Sequence, residues 1–89
     1  MTTRNDVLYA IRKMKLVRTA TSKKYGEFNY YIQFDTVTNR WMVWQESTPF
    51  ENDYRFGGMF IKAETEQEAI DYVNNLTHGH VGAIKTRIH

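Results

Sequence analysis

The stretch from Glu27 to Ser47, EFNYYIQFDTVTNRWMVWQES, constrains the fold more than any other part of the chain. Phe28, Tyr30, Ile32 and Phe34 alternate with Asn29, Tyr31 and Gln33, the period-two pattern of a half-buried strand. Asp35-Thr36-Val37-Thr38-Asn39 supplies turn residues, with Asn39 able to take a left-handed conformation. Arg40–Glu46 is then the return strand of a hairpin. Two registers fit. A four-residue loop sets Trp41 opposite Phe34 and Val43 opposite Ile32, leaving Met42 and Trp44 on the outer face. A five-residue loop pairs Phe34 with Arg40 and Ile32 with Met42, turning Trp44 inward and Trp41 outward. A slip of one residue moves every side chain to the other face. In both registers one tryptophan shares the outer face with Tyr31.

The flanking segments supply what such a hairpin needs to bury its apolar face. Thr3 and Asp6 sit at capping-box spacing ahead of Val7, Leu8, Ile11 and Met14, which predicts a helix over about residues 4–15. Lys15–Ala20 fits either a helical extension or a short strand, and strand is the reading adopted. Thr21–Gly26 is a polar loop. Ser47–Gly58 is a long connection carrying Pro49, Phe50, Tyr54 and Phe56, and Gly57-Gly58 punctuates it before a strand at Met59–Ala63. Thr65-Glu66-Gln67-Glu68 is a capping box, and Ala69, Ile70, Val73 and Leu76 form one stripe of a helix ending near Thr77, with Gly79 as its C-terminal cap. Val81–Ile88 reads as a last strand. The order is α-(β)-β-β-β-α-β. It implies one small α+β domain spanning 1–89, a mostly antiparallel sheet of about four strands with two amphipathic helices to cover one face.

With 89 residues the core is thin, and an aromatic content of 15% compensates because each ring buries a large area. There is no cysteine, so disulfides, cysteine-based zinc sites and thiol chemistry are excluded. No apolar run is long enough to span a membrane, and the first fifteen residues lack the apolar core of a secretory signal. A cytoplasmic protein without membrane partners is the expectation.

Sites for chemistry are not indicated. His78, His80 and His89 lack the cysteine or paired-carboxylate company of a metal site. Ser22 and Ser47 have no nucleophile-elbow context, and Glu66 and Glu68 are explained by the helix cap and its dipole. Gly57-Gly58 belongs to no phosphate-binding pattern. The sequence is read as a non-enzyme with no cofactor and no metal.

Surfaces for binding are better supported. Tyr31, the outward tryptophan (Trp41 or Trp44), Phe50, Tyr54, Arg55 and Phe56 are of the types that anchor protein interfaces. A sheet edge offers a further route, to a partner strand or to a second copy in a homodimer. The alternative is nucleic acid. Residues 1–26 carry seven basic groups against one acid, while residues 27–78 carry nine acids against three bases. Arg12, Lys13, Lys15, Arg18, Lys23 and Lys24 would meet phosphates, and aromatics on an open sheet face would stack bases.

The order of Phe34-Asp35, Trp41, Trp44, Ser47, a strand and Glu68-Ala69-Ile70 resembles that of a small accessory-subunit family of respiratory complex I over about half the chain, and no residue roles are carried over from it. The general profile is similar to small phage-encoded proteins that block host enzymes by contact. That likeness implies an inhibitor or accessory factor acting on a host enzyme or defence complex through a protein surface.

Overall fold

The computed structural model describes residues 3–22, 26–48 and 54–76. Helix α1 (Arg4–Ile11) is followed by strands β1 (Lys15–Ser22), β2 (Gly26–Asp35), β3 (Arg40–Thr48) and β4 (Arg55–Phe60), and then by helix α2 (Glu66–Asn74). The strands form one antiparallel sheet in the order β1-β2-β3-β4. This is the expected α+β arrangement. The strand expected at Val81–Ile88, the cap at Gly79 and the histidines at 78, 80 and 89 lie outside the described residues.

The hairpin takes the four-residue register. Phe34 pairs with Trp41, Ile32 with Val43 and Tyr31 with Trp44. The turn is built to hold it. Asp35 accepts from the backbone N–H of Val37 and Thr38 and from the Thr38 hydroxyl, which holds its carboxyl below the usual range. Asn39 adopts the left-handed φ of 54°. Trp41 therefore belongs to the inner face and Trp44 to the outer one.

The inner face is the core. Phe28, Tyr30, Ile32 and Val43 pack against Ile61 and against Ala69, Val73 and Leu76 of the α2 region. Burying a side chain such as Phe28, Ile32, Val43, Ile61, Val73 or Leu76 contributes about 1.5–3 kcal/mol relative to exposure. Thr65 caps α2 by accepting from the Glu68 N–H at 3.2 Å. Near its other end, Arg18 of β1 donates to the Val73 and Leu76 carbonyls at 3.1 and 2.6 Å, satisfying groups that a helix C-terminus leaves open. A bulge between Leu16 and Arg18 accompanies this contact and lets Val17 pack on the core as well.

Three expectations are corrected. Helix α1 stops at Ile11 and turns through Met14 instead of continuing to Lys15, because Lys15 and Leu16 are already paired with Ile32 and Tyr31. Strand β4 starts at Arg55 and not at Met59, so Gly57 and Gly58 lie inside a strand instead of breaking the chain before it. The two helices do not share a face. α2 covers the core face, while Arg4 in the first turn of α1 is bonded to Glu46 on the opposite one.

Candidate functional site

The outer face of β2, β3 and β4 carries two adjoining groups of side chains. The first surrounds Glu46, which is only 1% exposed. Its Oε1 accepts from Asn29 Nδ2 at 2.8 Å and from the Tyr31 hydroxyl at 2.7 Å. Its Oε2 accepts from Arg4 Nε at 2.9 Å and from the Tyr54 hydroxyl at 2.7 Å. Four donors match the lone pairs that an ionised carboxylate offers. Burial pushes the Glu46 carboxyl up, but the bonds from Asn29, Tyr54 and Tyr31 and the Arg4 charge outweigh it, and the group sits below the usual glutamate range. The same burial, together with bonding to the anion, raises the Tyr31 and Tyr54 hydroxyls. A carboxylate with every lone pair engaged is poorly placed to move a proton. It works as a pin joining α1, β2, β3 and the start of β4.

The second group is aromatic. Trp44 stacks on Phe56 with ring centroids 5.0 Å apart and planes 13° from parallel. The indole lies flat across Gly58, where an added Cβ would come within 2.5 Å of the Trp44 ring. Glycine is required there by close approach and not by backbone conformation. Phe60 is two residues further along the same face, 39% exposed, with the Arg40 guanidinium 4.6 Å from its ring centre. Half-buried Met42 pairs with Phe60 and completes the patch.

The protein-contact residues expected from sequence are thus separated. Trp44 and Phe56 come together. Tyr31 shares their face, but it is buried and holds Glu46, so it is no exposed anchor. Tyr54 is likewise bound to Glu46. Trp41 lies on the α2 face in edge contact with Phe34, and Arg55 also falls on that face, opposite Ser47. Phe50 lies outside the described residues. Sequence reading missed Glu46, Arg40 and Phe60, and it set Met42 on the outer face in one register without naming it as a contact residue. The signal for Glu46 was present in the four-residue register, which sets it directly across from Asn29 on the outer face.

The basic residues are also divided. Lys15 is paired with Glu66 at 3.1 Å, and Arg18 is committed to the end of α2. Arg12 is exposed, and Lys13 lies 4.3 Å over the Tyr9 ring. Lys23 and Lys24 lie outside the described residues. A groove of about 460 Å³ lined by Arg40, Ile61, Lys62, Ala63, Glu64 and Glu68 mixes both charges at the start of α2. Among the described residues, no three His, Asp or Glu side chains are grouped to hold a metal, and no helix is long and apolar enough to cross a membrane.

Comparison with protein-family models gives no match, and neither curated proteins nor solved structures include a significantly similar chain.

Proposed function

We propose that this chain is a non-enzymatic binding protein that occupies a surface of another protein through the outer face of β3 and β4. The observation that carries the reading is the Trp44–Phe56 stack lying flat on Gly58, continued by Met42 and Phe60 and edged by Arg40. Aromatic side chains, methionine and arginine are the residue types enriched at the centres of protein interfaces. Rings already fixed by stacking lose little freedom when a partner lands on them. A contact inhibitor or accessory factor of an enzyme or defence complex, of the phage type, is the concrete form.

The same rings would suit nucleobases, but the cations that must meet the backbone are partly spent. Two of the four described members of the basic set are engaged within the fold. Protein contact is therefore preferred.

The test places a photo-crosslinking residue at Phe60 and, as a control, at Val37, which is 89% exposed in the hairpin turn. A partner other than a second copy of this chain, captured from position 60, not from position 37, and lost with Phe56→Ala, supports the reading. Equal capture at both positions refutes it. So does low-salt binding of single-stranded nucleic acid that quenches Trp44 and weakens steeply with added salt.

A further inference from the structure

Among the described residues, the two outer strands of the sheet are unlike. β1 carries Lys15 and Arg18 and is bulged between Leu16 and Arg18, the devices by which sheet edges avoid pairing with other chains. Residues 56–60 of β4, Phe-Gly-Gly-Met-Phe, contain no charge, no proline and no bulge.

Among the described residues β4 is an outer strand, and the side of it that turns away from β3 can be assigned. The Ile61 N–H donates to the Trp41 carbonyl at 3.1 Å. Bonded and non-bonded pairs alternate along an antiparallel ladder, so Met59 and Gly57 also turn their backbone groups toward β3. Phe56, Gly58 and Phe60 turn theirs away from it. Gly58 is exposed although the Trp44 ring covers the position a side chain would take. Its exposure therefore comes from the backbone at the strand edge.

We infer that β4 pairs with β4 of a second copy of this chain, antiparallel about a two-fold axis at Gly58. The segment is its own complement in that arrangement. Gly58 meets Gly58 of the second copy, and Phe56 meets Phe60. All of these residues have outward-pointing N–H and C=O groups, so the pairs close hydrogen bonds reciprocally. On the α2 face Gly57 meets Met59, small against large, and an added Cβ at Gly57 meets nothing within 4 Å, which leaves room for the methionine. At the ends Arg55 falls opposite Ile61 and Lys62 opposite Tyr54, so no cation faces a cation. Counting the described strands, the join makes an eight-stranded sheet in which the two Trp44–Phe56 patches run together. A contact of one short strand and two aromatic pairs is small by the standard of stable interfaces, so the dimer is weak and concentration-dependent. The inference does not depend on the proposed partner-binding role.

The test is sedimentation and amide hydrogen exchange on the whole chain from micromolar to millimolar concentration. The expected result is a reversible dimer in which protection rises at the Phe56, Gly58 and Phe60 amides. Gly57→Lys has space in the monomer and sets two lysines diagonally across the join. It should weaken the dimer at least about tenfold. Val37→Lys, with the same charge change in the distant turn, should leave it intact. A monomer at every concentration overturns the inference. A dimer without protection at those three amides, or one weakened equally by both lysines, does the same.

Discussion

Replacing Glu46 by Gln tests the reading of the outer-face pin most directly. In the fold, both carboxylate oxygens are filled by pairs of donors, Asn29 with Tyr31 and Arg4 with Tyr54. A glutamine keeps one acceptor and turns an N–H₂ toward the other pair. Asn29 and Tyr31 can reorient to accept, whereas a guanidinium cannot. The amide therefore settles with its oxygen toward Arg4 and Tyr54. The Tyr54 bond loses the charge assistance that roughly doubles its strength, and the Arg4 bond keeps only the charge of its donor. The net cost is about 2–3 kcal/mol. At about 4–8 °C per kcal/mol for a chain of this size, the thermal midpoint falls by about 10–20 °C. Arg4→Ala is the contrast. The Arg4 side chain is 54% exposed and water takes over most of its role, so its loss costs about 1 kcal/mol or less. Chemical denaturation and thermal melts of both variants measure the difference. The effect should also depend on pH. The folded carboxyl lies below its ordinary value of 4.5, so its stabilisation is complete above that value and disappears as pH falls through the folded value. The gap between wild type and Glu46→Gln should be widest near neutrality and close in acid. A Glu46→Gln protein within about 0.5 kcal/mol of wild type at neutral pH would mean that Glu46 is no pin. An Arg4→Ala protein that is the less stable of the two would mean that water does not take over the Arg4 role.

Three further outcomes follow from the geometry. Gly58→Ala forces a Cβ into the Trp44 ring and should cost about 1–3 kcal/mol with a change in tryptophan emission, while Gly57→Ala, with open space, should be neutral or stabilising by up to about 1 kcal/mol. Arg18→Ala uncovers the Val73 and Leu76 carbonyls and should cost about 2 kcal/mol, read by denaturation together with faster amide exchange in α2. Burial pushes the Tyr30 hydroxyl up to about 12, and Tyr31 and Tyr54 are raised too. Because these folded values lie above the unfolded value of 10.0, stability is complete below that pH and is lost above it. Ultraviolet titration should show these phenols ionising late, together with alkaline unfolding.

How much was legible in advance follows from what each feature depends on. The hairpin, the Thr65 cap, the Ala69-Val73-Leu76 stripe and the left-handed Asn39 were readable because each is set by residues a few positions apart, where period and turn chemistry act. The extent of β4 was misread because Gly57-Gly58 was judged by local propensity. The reason for glycine there is a tryptophan fourteen residues earlier in the chain, brought over it by the register.

Local pattern was enough for the α+β order and offered two registers for the hairpin, and each register left one tryptophan with Tyr31. Tertiary structure chose between them and so decided that Trp44 and not Trp41 shares a face with Tyr31. It also decided that Tyr31 and Tyr54 hold Glu46 instead of waiting for a partner. Register and burial depend on contacts between residues far apart in the chain, and a one-residue slip reverses every face. Alternation within a single strand can specify that two faces exist, but only the packing of α2 on one and the tie of Arg4 to the other says which is which.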